Sequence, residues 1–399
     1  MVNTTPFHER LSELNHTQLW THWSGYLSAL RYDHSAKHEY FAVRNSAGFF
    51  DTSPLYKYWI RGRDAERFLA GVLTRDIRTC RPGRAHYTLW CDDQGYVLED
   101  GVVFRHSDSE FFMTTAEPNL GFLTDLIGRL DVSIEEVTDE YGMLAVQGPR
   151  SREILAKLAP EIADLPFFAL TQAKIGGSAV TISRTGYTGD LGYEVCVAAD
   201  DALPVLDEVI AAGEGHGLIP FGEQALLMTR VEAGLVLINV EFSSSRFAFT
   251  DHDRVTPKEL GFGWMLKGLD DDSRPFIGRD AIRRELAGDT SRWASVGLVV
   301  DWQAYDRLYR DAGLIPPKDE TPLDWESMLY DDDGNRIGYA TGLMYSPMLQ
   351  RHISLARVRP EHGSVGSQVN IELTVNHKYL TVAAEVARPP LFKPERKTA

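Results

Sequence analysis

The spacing of hydrophobic and polar residues predicts helices and strands in irregular alternation over about the first 285 residues. Between positions 64 and 76, Phe68, Leu69 and Val72 fall on one helical face, and Asp64 can cap the first turn. The same spacing predicts further helices at 119–130, 150–158, 203–212, 222–234 and 280–286. Strand-like runs lie between them at 56–60, 95–104, 178–184 and 192–198. This mixture is typical of an α+β domain.

Beyond about residue 285 the pattern becomes a succession of β-strands. Ile371, Leu373 and Val375 alternate with polar residues, as in a half-buried antiparallel strand. Turn signals such as Asp333-Gly334-Asn335 separate the runs. The strands are predicted at 295–301, 328–330, 336–342, 369–375 and 380–387. We therefore place a domain boundary near 270–285, at an acidic segment, and predict a small β-barrel or β-sandwich after it.

Composition and charge exclude several classes of protein. The 399 residues include 41 Lys and Arg against 57 Asp and Glu, and the net charge of −16 disfavours binding along nucleic-acid phosphates. The first residues lack a signal-peptide pattern, and no apolar run approaches the roughly 18 residues of a membrane helix. Cys80, Cys91 and Cys196 are odd in number and far apart, which suits free thiols in a reducing compartment. We expect a cytoplasmic protein with no nucleic-acid or membrane partner.

The first segment with candidate chemistry contains two adjacent carboxylates, Glu99 and Asp100, on a strand that follows a turn at Asp93-Gln94-Gly95. Neighbouring strand residues point to opposite faces, so at most one of the pair faces a given pocket. A carboxylate placed there can accept a proton or stabilise a developing cation. The alternative is an acidic hairpin end in water.

The second segment contains Gly186, Gly189 and Gly192, followed by Glu194 at the start of an apolar strand. The glycines indicate tight backbone geometry and close approach to a ligand. A buried Glu194 would need a partner with several donors, and a ligand edge with adjacent N–H groups would satisfy both oxygens. The alternative is a plain hairpin turn with a solvated glutamate. The spacing matches neither a P-loop nor a GxGxxG fingerprint.

The third segment runs from Arg230 to Trp264. Trp264 lies between glycines and could supply a flat wall for an aromatic ligand, although a lone tryptophan commonly fills a core. Arg230 and Glu232 could equally form a structural ion pair with each other.

Taken together, these segments resemble the glycine-cleavage T-protein family of tetrahydrofolate-dependent aminomethyltransferases and their relatives. The main matches are Gly-Tyr-Thr-Gly-Asp-Leu-Gly-Tyr-Glu at 186–194, Arg-Val-Glu-Ala-Gly-Leu at 230–235 and Thr-Pro-Lys-Glu at 256–259. Supporting matches lie at 47–53, 147–149, 276–281, 337–341 and 345–347, so the resemblance covers nearly the whole chain in order. It implies a folate-binding α+β domain over 1–284, with two sub-lobes as one option, followed by a C-terminal antiparallel β-barrel domain over 285–399.

The resemblance also implies that tetrahydrofolate occupies a central channel. Glu194 matches the carboxylate that holds the N–H edge of the pterin ring, and Asp100 matches the acid near the folate nitrogens where one-carbon chemistry occurs. The remaining matched folate-binding positions are Tyr87, Tyr187, Trp264, Arg230 and, near the barrel, Arg359 or Arg357 for the folate tail or channel.

Departures from the T-protein pattern bear on the choice of reaction. Leu226 stands where T-proteins carry Arg, Asp190 where they carry Glu, and Glu99 where they carry Asp, and the stretch 236–241 also differs. The stretch 256–264 is closer to the demethylase branch of the family. These departures favour a demethylase that moves a methyl group from a small O-, S- or N-methyl compound to N5 of tetrahydrofolate.

Two alternatives to the demethylase remain. The first is a true aminomethyltransferase, which would form 5,10-methylene-tetrahydrofolate with a lipoyl carrier protein as partner. The second is a folate-binding protein without catalytic activity. No metal is expected in any of the three.

Overall fold

A computed structural model describes residues 2–318 and 321–399 of the chain. Helices and strands alternate irregularly up to α8, and strands dominate after it, as the sequence pattern predicts. The α-helices of the described residues are α1 His8–Leu14, α2 Ala36–Asn45, α3 Ala65–Val72, α4 Leu120–Asp125, α5 Ser151–Leu155, α6 Ala202–Gly213, α7 Glu223–Glu232, α8 Arg279–Gly288 and α9 Trp302–Asp311.

The strands before residue 285 form a hairpin and two larger sheets. The hairpin is β1 Leu19–Trp23 with β2 Tyr26–Arg31. One sheet has the order β10 Leu170–Ile175, β11 Ser178–Ser183, β12 Gly192–Ala198, β9 Tyr141–Gln147, β3 Ala47–Asp51 and β13 Leu218–Pro220. The other has the order β5 Arg84–Cys91, β6 Val97–Arg105, β7 Glu110–Thr115, β4 Tyr56–Arg61 and β8 Ser133–Glu136.

The strands after residue 285 close into a six-stranded barrel, because β14 pairs with both β17 and β19. In barrel order they are β14 Ala294–Val300, β17 Arg351–Val358, β16 Arg336–Ser346, β15 Ser327–Tyr330, β18 Gln368–Val375 and β19 Lys378–Ala387. Every pair is antiparallel, which confirms the predicted α+β architecture with a C-terminal barrel. Val296, Leu298, Val358 and Ile371 belong to the barrel core. The division at 284/285 stays a prediction.

Several predicted boundaries are wrong, each for a local reason. The helix expected at 119–130 ends at Asp125, and Gly128 takes a left-handed conformation with φ +58° that a continuing helix could not accommodate. The helix expected at 64–76 ends at Val72, where Leu73 adopts an extended conformation. Several elements were not predicted. After residue 285 they are α9, which Asp301 caps through the backbone N–H groups of Gln303 and Ala304, and β17.

A buried charge network joins distant parts of the chain. The Arg44 guanidinium on α2 lies 2.7 Å from the Glu232 carboxylate on α7 and 3.4 Å from Asp190, and all three side chains are shielded from solvent. Ser346 on β16 donates a hydrogen bond of 2.5 Å to Glu232. Arg396, beyond the last barrel strand, lies 2.6 Å from Asp190. Buried charges are tolerated when they are paired in this way.

None of the helices described for residues 2–318 and 321–399 combines the length and the apolar character that crossing a bilayer requires. Cys80, Cys91 and Cys196 are free thiols.

Candidate active site

A cavity of about 480 Å³ separates the outer face of the barrel from the α+β part. Its α+β walls come from the segments 233–241 and 260–264, and residues 388–390 close a further side. The barrel side is formed by β14, β16 and β17. The lining includes the polar and aromatic side chains of Glu241, Phe262, Trp264, Tyr339 and Arg357.

Asp100 and Tyr87 form a hydrogen-bonded pair next to this cavity. They lie on adjacent antiparallel strands, β6 and β5, and the Tyr87 hydroxyl donates to the Asp100 carboxylate at 2.8 Å. The Tyr87 ring packs edge-on against Phe262, with 5.5 Å between ring centroids, and Phe262 lines the cavity. Asp100 is half-buried, whereas Glu99 is 1% exposed and lies inside the protein. The alternation of neighbouring strand residues thus directs only Asp100 towards the cavity side.

The two adjacent carboxyl groups titrate differently. Burial, reinforced by the Asp100 charge, raises the pKa of Glu99 to about 9. Burial also raises the pKa of Asp100 to about 6, and the hydrogen bond from Tyr87 opposes that rise. At neutral pH Glu99 is therefore protonated and Asp100 is ionised, because two neighbouring carboxylates do not both ionise easily in a low-dielectric site. An ionised, half-buried Asp100 with a raised pKa is suited to accept a proton.

Tyr187 and Arg230 each contact a residue of the cavity wall. The Tyr187 hydroxyl donates to the backbone carbonyl of Val236, a cavity-lining residue. The Arg230 guanidinium is buried and lies 2.6 Å from Glu241. Burial disfavours the charged guanidinium, but the Glu241 carboxylate outweighs it and raises the pKa of Arg230.

The ion pair between Arg230 and Glu232 that the sequence left open is not formed. Two residues apart on α7, they point to different sides of the helix. Arg230 pairs with Glu241, and Glu232 pairs with Arg44.

Glu194 lies apart from the Asp100 pair, on β12 of the other sheet. Its carboxylate accepts a hydrogen bond from the Thr185 hydroxyl, and burial raises the pKa of Glu194. Within 2–318 and 321–399, no hydrogen bond or ion pair links the Glu194 side chain to Asp100, Tyr87 or Arg230. The backbone before Glu194 packs closely against the Gln147 side chain. A Cβ atom would come within 2.1 Å of that side chain at Gly186 and within 2.2 Å at Gly192, so both positions require glycine.

The remaining matched residues lie in different surroundings. Trp264, on a short 3₁₀ helix, lines the cavity, is 49% exposed and packs 5.2 Å from the Arg75 guanidinium, so it is not a core residue. Arg357 on β17 is buried and lines the cavity. Arg359, just beyond β17, is exposed and is not among the cavity-lining residues.

Of the sequence-predicted residues, Trp264 and Arg357 line the cavity. Tyr87, Tyr187 and Arg230 do not line it but contact residues of its wall, and Asp100 is hydrogen-bonded to Tyr87. Glu194 lies on the neighbouring sheet. Sequence reasoning missed Glu241, Tyr339 and Thr341 of the cavity wall. Glu241 carried a usable signal, because it lies in the departing stretch 236–241. Tyr339 and Thr341 lie within a matched segment of β16. Their spacing does not show which face of the strand the α+β part covers. Among the described residues, no cluster of His, Cys, Asp or Glu could hold a metal ion.

Comparison with known proteins adds independent findings. The GCVT N-terminal domain matches residues 7–268, and the glycine cleavage T-protein C-terminal barrel domain matches residues 312–393. The chain is 32% identical over 365 residues to an aminomethyltransferase of Bacillus velezensis, covering 90% of both chains. It is 31% identical over 348 residues to an aminomethyltransferase of Thermoanaerobacter sp., covering 86% of both. The crystal structure of glycine cleavage system aminomethyltransferase T from Bartonella henselae shares the fold, with a TM-score of 0.82, 21% identity, and 98% and 99% of the two chains covered.

Proposed function

Because the chain belongs to the glycine-cleavage T-protein family, and is thereby a tetrahydrofolate-dependent one-carbon transferase, we propose that it is an aminomethyltransferase. In this role it would transfer the carbon of an aminomethyl group from the sulfur of a lipoyl carrier protein to tetrahydrofolate, forming 5,10-methylene-tetrahydrofolate, releasing the nitrogen as ammonia and leaving the carrier as its dithiol. The names of the relatives support this alternative better than the demethylase that the sequence departures favoured.

The residues around the cavity suit tetrahydrofolate. Glu194, on the neighbouring sheet, is a half-buried carboxylate with one side-chain donor, Thr185, among the described residues, so its remaining lone pairs are available to the N–H edge of a pterin. Phe262, Trp264 and Tyr339 offer ring faces or edges to a flat aromatic ligand. When bound, tetrahydrofolate supplies the nucleophilic nitrogens N5 and N10.

The observation that carries the proposal is the Asp100–Tyr87 pair beside the cavity. Ionised Asp100 would accept the proton that a folate nitrogen loses on forming a bond to carbon, and would stabilise positive charge there. The Tyr87 hydroxyl fixes the carboxylate in one orientation and keeps it ionised near neutral pH. The cavity walls would limit water access, which protects a reactive one-carbon unit.

Methyl transfer to N5 from a small methylated compound is the second candidate. One observation favours it: the stretch 236–241, which departs from the T-protein pattern, contributes Val236 and Glu241 to the cavity wall. A changed wall would admit a different donor.

A single-turnover experiment tests both candidates. The protein is incubated anaerobically with tetrahydrofolate and, separately, an aminomethyl-lipoyl carrier, methoxy-aromatic compounds, and methylated sulfur and nitrogen compounds. Folate products are read by mass. A 5,10-methylene product that forms only with the carrier supports aminomethyl transfer. A 5-methyl product with a small donor refutes it in favour of the second candidate. Asp100→Asn is the matched control, since neither product should then accumulate at the wild-type rate.

A further inference from the structure

The loop 236–242, which we call the wall loop, packs against the sheet that carries the proposed base. Its apolar side chains share a core cluster with Leu89 of β5 and Val97 of β6. The Asn239 side chain donates a hydrogen bond of 3.0 Å to the Glu117 carboxylate, just beyond β7. Apolar packing and this hydrogen bond hold the wall loop against the sheet, and the loop in turn forms part of the cavity wall.

Glu241 joins the wall loop to two other parts of the chain. Its buried carboxylate lies 2.6 Å from the Arg230 guanidinium on α7. It accepts a hydrogen bond of 3.0 Å from the Thr341 hydroxyl on β16 and one of 2.8 Å from the backbone N–H of Leu237. One carboxylate therefore connects the wall loop, helix α7 and the barrel.

Strand β16 is irregular where it meets this carboxylate. Its register against β17 shifts between Thr341 and Met344, and Gly342 takes a left-handed conformation with φ +63°. A Cβ atom at Gly342 would lie 3.0 Å from the Val231 side chain and 3.5 Å from the Arg230 guanidinium. The barrel thus approaches α7 closely at this point. Such irregularities redirect side chains, and here the neighbouring Thr341 reaches the wall loop.

The charge of Glu241 also acts on the proposed base. Burial raises the pKa of Asp100 to about 6, the Tyr87 hydroxyl opposes this rise, and the Glu241 carboxylate adds to it. Glu99, beside Asp100 on β6, and Tyr187 also face this group. Burial raises the pKa of Tyr187, and the charges of both Glu241 and Asp100 contribute to that rise. Asp100, Tyr187 and Glu241 therefore lie within reach of one another's charges.

We propose that Glu241 is a positioning residue for this reaction: it pairs with the buried Arg230, fixes the wall loop to the barrel and sets how readily Asp100 takes up a proton. A nearby negative charge disfavours the ionised form of Asp100 and so makes it a stronger base towards a folate nitrogen. The inference rests on the proposed function, in which Asp100 is the base. A purely structural Glu241 would make the same contacts without affecting the titration of Asp100.

The test measures the titration of Asp100 and the turnover separately in the full-length protein. With ¹³C-labelled aspartate, NMR follows the Asp100 carboxyl group in the ligand-free protein, and Asp100→Asn identifies its signal by removing it. The single-turnover rate with the aminomethyl-lipoyl carrier is measured over the same pH range. The variant is Glu241→Gln, which keeps the size of the side chain and an oxygen that can accept from Thr341. Glu385→Gln, at an exposed position of β19, is the matched control.

In Glu241→Gln the pKa of Asp100, and with it the pH at which the rate falls, should drop by about one, because a nearby negative charge is removed. Glu385→Gln should keep the wild-type titration. If Asp100 titrates in Glu241→Gln as it does in the wild type, the proposal is overturned even where the rate is lower, since a purely structural loss does not move the titration. Wild-type protein in which Asp100 titrates as expected but neither folate product forms would instead refute the proposed function alone.

Thr341→Val separates the charge of Glu241 from its link to the barrel. This variant loses the hydrogen bond to the barrel but keeps the carboxylate, so Asp100 should titrate as in the wild type. Backbone hydrogen exchange in the wall loop should become faster, because the loop has lost its contact with β16. Unchanged exchange would contradict the link, and a titration that moves as far as in Glu241→Gln would contradict the role of the charge.

A double variant keeps the proposal testable if Glu241→Gln does not fold. That variant leaves Arg230 buried without its carboxylate, which is strongly destabilising, whereas Arg230→Met/Glu241→Gln removes both charges. The pKa of Asp100 should still lie below its wild-type value in the double variant, because Glu241 rather than Arg230 is the main charge of the pair acting on Asp100. An unchanged value would overturn the proposal.

Discussion

Removing the Tyr87 hydroxyl gives the most direct test of how the site controls Asp100. The hydroxyl donates at 2.8 Å to a carboxylate whose pKa burial raises to about 6. This hydrogen bond favours the ionised form of Asp100 and so lowers its pKa. In Tyr87→Phe the bond is lost while the ring contact with Phe262 is preserved. The pKa of Asp100 should therefore rise.

The size of the change follows from the strength of a hydrogen bond to a charged group, about 1.5–3 kcal/mol. Since about 1.4 kcal/mol corresponds to a tenfold change in an equilibrium constant, the pKa should rise by about one to two. Asp100 acts as a base only when ionised, so the wild-type rate should fall as the pH drops through about 6. In Tyr87→Phe the same fall should begin at a pH higher by about one to two.

The assay is the single-turnover rate measured between pH 5 and 9, roughly the range over which the two carboxyl groups titrate. At the alkaline end, where Asp100 is ionised in both proteins, Tyr87→Phe should recover most of the wild-type rate. Tyr379→Phe, at a tyrosine that is 78% exposed on the barrel, is the matched control and should keep the wild-type profile. An acid limb that stays in place in Tyr87→Phe would refute Asp100 as the group responsible.

Three further variants test other parts of the reasoning. Asp100→Asn should lose turnover with tetrahydrofolate affinity nearly intact by calorimetry, and unchanged turnover would remove Asp100 from the mechanism. Glu194→Ala should weaken tetrahydrofolate binding by about tenfold or more, as expected for a lost charge-assisted contact, and unaltered affinity would contradict its role at the pterin. Glu232→Gln should destabilise the protein by about 3–5 kcal/mol in urea unfolding, because it removes the nearer of the two carboxylates that pair with the buried Arg44. A loss below about 1 kcal/mol would show that the Arg44–Asp190 contact suffices.

Local sequence patterns predicted those parts of the fold that depend on local periodicity. The strand expected at 192–198 is β12 itself, and the helix expected at 203–212 is α6 within a residue at each end. The local patterns failed where the backbone conformation or contacts with distant parts of the chain determine the structure. The segment 119–130 keeps a helical period past the left-handed Gly128, and β17 is nearly buried throughout, so it shows little alternation.

The candidate site likewise contains residues that local motifs reveal and contacts that they do not. Asp100 and Glu194 could be selected as candidates because motifs of adjacent residues carry them. The pairing of Arg230 with Glu241 could not be predicted, because the chain leaves α7 and returns before the two meet. Arg357 and Arg359 could not be distinguished by spacing either. Their difference arises from the α+β part, which covers the barrel face of Arg357 and leaves Arg359 in solvent.

The buried charge network has a consequence for how the protein can be divided. Its members come from α2, α7, the loop before β12, the barrel strand β16 and the segment beyond β19. A cut at 284/285 would separate Glu232 from Ser346 and Asp190 from Arg396, and would expose charges that the intact chain pairs. The barrel and the α+β part are therefore not interchangeable modules. We expect a chimaera that takes its barrel from a relative to fold only if the network residues of the α+β part are also replaced by those of that relative.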